Sequence, residues 1–236
     1  MSTDNIAIIT ARGGSKRIPR KNIKEFCGEP IINYSIKAAL NSGLFDEVMV
    51  STDDAEIAEI SKKAGAKVPF LRSEKTSNDF ATTSDVLMEV FEKYKELGKE
   101  FTYACCLYPT APFITPEKLK KGFSQLVDKN ADVVMPVIRF SFPPQRGLII
   151  QDGKIKYKWP ENSLKRSQDL EPMYHDCGQF YFYNVKNFIH CVKNGIASEN
   201  VFAMELSDID VQDIDNFEDW ENAEIKYRIL KEKGLI

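Results

Sequence analysis

The feature that most constrains this chain is an alternation between two periodicities. Short runs rich in β-branched or small apolar residues occur at Ile6–Ile9, Val48–Val50, Val68–Leu71, Tyr103–Leu107 and Val133–Val137. Between them lie segments whose apolar residues recur at helical spacing. A short continuous apolar run reads as a strand covered on both faces, and strands alternating with helices read as βαβ units that build a mostly parallel sheet. The helices carry their own start and stop signals. Pro30 opens one in which Ile31, Ile32, Ile36, Ala39 and Leu40 are apolar and Gly43 is the stop. Asp53, with Glu56 three residues on, has the form of a capping box for a helix ending near Gly65. A helix over Ser84–Leu97 stops at Gly98, and Thr115-Pro116-Glu117 supplies a cap followed by Pro at the first position of the next. The expected fold class is α/β, a Rossmann-like, mostly parallel sheet with helices on both faces.

After Val137 the rhythm breaks. Phe142-Pro143-Pro144 reads as a loop, and Leu148–Gln151 and Ile155–Trp159 flank Asp152-Gly153, a strong hairpin signal. A polar stretch, Pro160–Pro172, follows. Alternation resumes with a strand over Gln179–Tyr183, a helix near Val185–Lys193, a strand over Val201–Leu206 and an amphipathic helix near Phe217–Lys233. Residues 138–172 are therefore expected to be an excursion from one domain spanning 1–236, a length that buries a core without staples.

Composition excludes several classes. With 32 Lys+Arg against 35 Asp+Glu the chain has no overall electrostatic footprint for nucleic acid or an anionic membrane. Cys27, Cys105, Cys106, Cys177 and Cys191 form no CxxC pair, so neither a disulfide framework nor a zinc knuckle is expected. Met1–Asn5 is polar with no basic n-region, and no apolar run of about 18 residues is present, so a soluble, reduced, cytoplasmic protein is expected. Against this acidic background one segment stands out. Immediately after the first strand, Arg12, Lys16, Arg17, Arg20, Lys21 and Lys24 surround Gly13, Gly14 and Ser15. In an open α/β sheet, the loop at the carboxyl end of a central strand is where ligands bind. The glycines are expected to permit positive φ and close backbone approach, while N–H groups, Ser15 and the cations hold a polyphosphate. The loop has neither the spacing of a P-loop nor a G-x-G-x-x-G opening a helix. A solvated basic surface loop is the competing reading, and its position after the first strand favours phosphate.

The run Ala11-Arg12-Gly13-Gly14-Ser15-Lys16-Arg17-Ile18-Pro19-Arg20-Lys21-Asn22 resembles the nucleotide-binding signature of the cytidylyltransferases that activate nonulosonic acids, the CMP-sialic acid synthetase-like family. Val50-Ser51-Thr52-Asp53, Leu71-Arg72, Tyr108-Pro109-Thr110-Ala111-Pro112, Gly178 and Asp213-Ile214-Asp215 follow in the family's order. Tyr108–Phe113, Phe142–Gly147 and Met173–Phe180 look most like the branch that activates pseudaminic acid. The sialic acid branch usually has Gln where Tyr108 stands, Arg where Ile114 and His175 stand, and Asn where Cys177 stands.

The resemblance implies transfer of CMP from CTP to the anomeric hydroxyl of a nonulosonic acid, with release of pyrophosphate. It implies a CTP site of Ala11, Arg12, Gly13, Gly14, Ser15, Lys16, Lys21 and Asn22 at the phosphates. Arg72, Asn78, Asp79 and Thr82 would face the cytosine and ribose. Lys21 and Arg12 would neutralise charge in the transition state, together with Asp213 and Asp215 as ligands of Mg²⁺. On an extended segment the i, i+2 spacing of Asp213 and Asp215 puts both carboxylates on one face. From spacing alone, an acidic turn with capping duty for the last helix competes with the metal reading. Tyr108, Thr110, Gln145, Arg146, His175, Asp176 and Gln179 are the candidates for holding the sugar acid, and His175 beside Asp176 also reads as a structural pair. His190 and Cys105-Cys106 read as packing. The excursion, with Phe140, Phe142, Tyr157 and Trp159, is expected to form a homodimer interface, or else to cover its own sheet. Alternatives are the same reaction on sialic, legionaminic or an octulosonic acid, a sugar-phosphate guanylyl- or uridylyltransferase, and a nucleotide-binding regulatory module without turnover.

Overall fold

The computed structural model describes residues 4–236; Met1–Thr3, which open the polar lead-in, lie outside them. The strands are β1 (Asn5–Thr10), β2 (Glu25–Phe26), β3 (Glu29–Pro30), β4 (Glu47–Ser51), β5 (Tyr103–Leu107), β6 (Val133–Arg139), β7 (Leu148–Gln151), β8 (Lys154–Tyr157), β9 (Tyr174–Asp176), β10 (Phe180–Asn184) and β11 (Val201–Glu205). The helices are α1 (Ile32–Ser42), α2 (Ala55–Lys63), α3 (Glu74–Ser77), α4 (Thr83–Glu96), α5 (Pro116–Asp128), α6 (Val185–Asn194) and α7 (Phe217–Glu232).

The central sheet runs β11-β6-β10-β5-β1-β4, with β9 added beside β6. β1 is parallel to β4 and β5, and β6 is parallel to β11, whereas β10 runs antiparallel between β5 and β6. The two-residue period of β1 sorts the core into layers. Ala7 and Ile9 pack with Ile32, Ile36 and Ala39 of α1 and Leu119 and Leu126 of α5. Ile6 and Ile8 pack with Leu87, Val90 and Tyr94 of α4 and with Val185 and Phe188 of α6. Both faces of β1 are thus dry, which is why its sequence is a continuous apolar run. A third cluster lies beneath α7, where Trp220, Ala223 and Leu230 enclose Ile18, Phe26, Phe113 and Ile214.

The start and stop signals hold at several places. Thr115 caps α5 ahead of Pro116, Gly43 and Gly98 take left-handed backbone after α1 and α4, and Asp152 (φ 53°) with Gly153 (φ 72°) turns the β7–β8 hairpin. Others need correction. Residues 68–71 form no strand. Lys67 bridges Met49 and exchanges hydrogen bonds with Val48 and Val50, but Pro69 has no N–H with which to extend the ladder. The cap of α2 is Asp54, which accepts from the N–H groups of Glu56 and Ile57, and Asp53 turns instead toward the basic loop. Neither Gly13 nor Gly14 has positive φ; within that loop the left-handed residue is Arg20, at φ 55°. Leu40 and His190 are exposed, and His190 is hydrogen-bonded to Asn194 of its own helix. β9 carries no apolar alternation and went unread; pairing with β6 creates it. Cys105 and Cys106 are fully buried, and no helix among the described residues is long and apolar enough to cross a membrane.

Candidate active site at the carboxyl ends of the parallel strands

A cleft of about 630 Å³ opens at the carboxyl ends of β1 and β5. One wall is the basic loop, which contributes Arg12, Ser15, Lys16, Arg17, Lys21 and Asn22. Arg72 and the segment from Thr76 through Thr83 to Val86 form another, and Tyr108-Pro109-Thr110 and Asp215 complete it.

The basic loop is shaped by neutral and anionic partners beneath it. Buried Asn22 donates to the Arg12 carbonyl at 2.8 Å, and Asp53 accepts the Gly13 N–H at 2.8 Å. Arg20, although part of the basic run, points away from the cleft to Asp54 and Glu56. Its charge, with the capping N–H groups of Ile57 and Glu56, holds the Asp54 carboxyl down at about 2. Ala11 is fully buried in the sheet core and reaches the cleft only through its backbone neighbours. A Cβ on Gly14 would meet nothing within 4 Å, leaving that stretch of backbone open to a ligand.

Lys21 joins this loop to the late acidic segment. Its ammonium donates to the Ile214 carbonyl at 2.6 Å; burial lowers its pKa, while the charges of Asp215 and Asp213 act in the opposite direction. Arg17 pairs with Asp215 at 2.8 Å. The meeting has an apolar cause. Ile18 of one segment and Ile214 of the other share the cluster under α7, and the polar side chains flanking each isoleucine are thereby brought to one place. Partial desolvation and the like charge of Asp215 raise the Asp213 carboxyl above the ordinary range. Two mutually repelling carboxylates on one short segment are a donor set that suits a hard cation completed by phosphate oxygens and water. Among the described residues no group of three His, Cys, Asp or Glu side chains forms a self-sufficient metal cage. The acidic-turn duty goes to a neighbour, since Asn216 and Asp219 form the capping box of α7.

The opposite wall is held by Arg72 and Glu89. Arg72 is buried, donating to the Ser51 hydroxyl at 3.0 Å and the Ser51 carbonyl at 2.6 Å, and burial lowers its pKa. Glu89 of α4 accepts from the Ser73 N–H and hydroxyl and from Thr76, and these bonds with Lys93 overcome its desolvation and hold it down at about 2. The Asn78 side chain caps the next turn by accepting from the N–H groups of Phe80 and Ala81, while the Asn78 backbone carbonyl accepts from Arg12 at 3.3 Å. Asp79 bridges Arg12 and Lys16 across the cleft. Thr82 caps α4, exchanging bonds with Asp85. Glu89, Thr76 and Thr83 escaped the sequence reading; an acid on an exposed-looking helix and two threonines give no local signal, since their importance lies in which segment they touch.

The residues read as sugar contacts divide into two groups. Tyr108 and Thr110 line the cleft, and the Tyr108 hydroxyl lies 3.4 Å from Thr83 Oγ1. The other five do not line it. Gln179 is buried, donating to the Asp210 carbonyl at 2.8 Å. Asp176 accepts the Tyr181 hydroxyl and the Gly178 N–H, and burial raises the Tyr181 phenol. Gln145 donates to the Glu171 carbonyl, Arg146 lies over the Phe142 ring, and the His175 ring packs at a tilt against Phe140, centroids 4.7 Å apart. Those three belong to the excursion or its return strand.

The sequence profile of a family described as Cytidylyltransferase matches residues 6–222. Pseudaminic acid cytidylyltransferase of Campylobacter jejuni is 40% identical over 98% of this chain and 99% of its own. CMP-N,N'-diacetyllegionaminic acid synthase of Legionella pneumophila is 32% identical over 98% and 99%. Among solved structures, CMP:2-keto-3-deoxy-manno-octonic acid synthetase complexed with CTP superposes with a TM-score of 0.71, covering 98% of this chain and 100% of that one at 19% identity. With a mostly parallel sheet, a basic loop after its first strand and a profile match across nearly its whole length, this chain belongs to the cytidylyltransferase family.

Proposed function

We propose that this protein transfers CMP from CTP to the anomeric hydroxyl of pseudaminic acid, releasing pyrophosphate. The observation that carries the reading is the junction at Lys21, where the cations of the basic loop and the carboxylates of Asp213 and Asp215 meet beside one cleft. The choice of sugar is supported by the relatives named pseudaminic acid cytidylyltransferase and by Tyr108, His175 and Cys177, which depart from the sialic acid pattern.

In the reaction the anomeric oxygen forms a bond to the α-phosphorus, the α–β bridging P–O bond breaks, and the hydroxyl proton is lost. Charge accumulates on phosphoryl oxygens, so the protein's contribution is positioning and electrostatic neutralisation. Arg12, Ser15, Lys16, Lys21 and Asn22 bind the triphosphate. For Arg12 and Lys16 to do so, both must exchange the Asp79 carboxylate for phosphate oxygens. Lys21, partly desolvated yet held between acidic neighbours, supplies a fixed positive charge. Arg72 and the 78–82 turn face the base and ribose. Asp213 and Asp215 would hold Mg²⁺, which when bound supplies Lewis-acid polarisation of the α-phosphate.

The acceptor side is proposed to be completed in a homodimer. Support comes from the excursion, where Leu148, Ile150 and Ile155 are 56%, 77% and 65% exposed on a hairpin that stands apart from the central sheet. A cytoplasmic location is proposed with the nucleotide substrate, in keeping with five free thiols. The test is pyrophosphate release from CTP in Mg²⁺ buffer with pseudaminic, legionaminic or N-acetylneuraminic acid supplied singly. Fastest release with pseudaminic acid is expected. Preference for another acid reassigns the sugar, and CTP binding without release from any of them supports a regulatory module instead.

A further inference from the structure

We infer that Arg20 and Asp54 are positioning residues for the phosphate loop, in that the carboxylate at the start of α2 holds Arg20 and through it the course of residues 13–20 beneath the CTP phosphates. The inference rests on reading this loop as the CTP site and extends it to a cation that does not line the cleft.

Arg20 makes a two-pronged contact with Asp54, at 2.5 and 3.1 Å, and its second nitrogen also reaches Glu56. Its backbone is left-handed, φ 55° and ψ 28°, a conformation that a long side chain keeps only when surrounding contacts hold it. Asp54 is at the same time the cap of α2, accepting from Glu56 N–H at 2.9 Å and Ile57 N–H at 3.0 Å. The other end of the loop is gripped at the same corner. Asp53 accepts the Gly13 N–H, and a Cβ on Gly13 would stand 2.8 Å from the Asp54 carboxylate. Residues 13 and 20 are therefore both fastened to the β4–α2 junction, with Ser15 and Lys16 suspended between them and Lys21 directly after. A loop fastened at both ends loses less conformational freedom when it receives a polyphosphate, so the ties act on nucleotide affinity.

Asn caps helices about as well as Asp, so Asp54→Asn removes the charge and spares α2. Calorimetric CTP binding and steady-state kinetics are measured for wild type, Asp54→Asn, Arg20→Gln and the double variant. Each single variant is expected to bind CTP about tenfold more weakly, with KM for CTP rising and kcat within about twofold, and the double to be no weaker than the worse single. Losses that multiply in the double variant, or a loss in Arg20→Gln alone, would assign Arg20 to the phosphates directly and overturn the inference. Wild-type affinity in both single variants overturns it as well, while leaving the CTP site intact. Absence of CTP binding by the wild type removes both readings together.

Discussion

Residues 11–24 and residues 140–172 are both loops that leave the sheet, and they are built in opposite ways. The first is pressed under α7, with Ile18 about 1% exposed among Phe26, Phe113 and Trp220, and nearly every charge in it has a partner from its own chain. The second presents a hairpin whose Leu148, Ile150 and Ile155 face solvent, with Leu164 beyond it 97% exposed. The proposed nucleotide site is thus preorganised by contacts within the chain, whereas the excursion proposed for the sugar side leaves apolar area facing solvent. Each half makes its own demand on experiment.

The largest expected effect tests the preorganised half at its acidic end, where Mg²⁺ is proposed to bind. Asp213→Asn should lower turnover by about 10²–10³-fold or more, since an electrostatic contact made in the transition state is typically of that size. Because the folded-state pKa of Asp213 is raised, its ionised form costs stability at all pH values above that pKa, and the cost fades as pH falls through it. The same variant should therefore melt at a higher temperature than wild type at pH 7. Unchanged turnover removes the metal assignment, and a lower melting temperature removes the repulsion argument. Lys21→Ala should cost about 100-fold in kcat, measured with saturating CTP.

The excursion is tested by Ile150→Glu with Ile155→Glu. If the proposed dimer exists, light scattering should give a monomer in its place, and transfer to the sugar should fall while calorimetric CTP affinity stays within about twofold, because the proposed interface and the basic loop share no residue. Loss of both properties would erase the contrast between the two loops. A smaller effect is expected from Glu89→Gln, which weakens the ties to Ser73 and Thr76. KM for CTP should rise by about fivefold with kcat nearly unchanged, within the usual range for breaking hydrogen bonds to a charged group. Smallest of all, the Asp54 and Glu89 carboxyls, each held down at about 2, contribute stability that is complete above their ordinary values and is lost as pH falls toward 2. Urea midpoints for Glu89→Gln and wild type should accordingly converge at low pH.

The sheet was legible because buried strands must be apolar on both faces, and Ile6–Ile9 or Tyr103–Leu107 have no other comfortable state. The basic loop was legible because cations in a row need a reason. Direction was not. Nothing local distinguishes Arg20, which serves Asp54, from Lys21, which serves the cleft, and nothing in Asp53-Asp54 says which residue caps α2. The failed strand at 68–71 turns on Pro69, a residue whose missing N–H matters only beside β4. Glu89 and Thr76 were invisible for the same reason, since a hydrogen bond between segments leaves no trace in the spacing of either.

The isoleucine pair beneath α7 couples the proposed chemistry to the docking of one helix. Ile18 lies among the cations and Ile214 between the two aspartates, and Trp220, Ala223 and Leu230 of α7 close over both. With α7 undocked, the apolar contact that holds those aspartates against the basic loop is lost. A protease cut just before Phe217 would free α7 from that cluster and should abolish the proposed transfer.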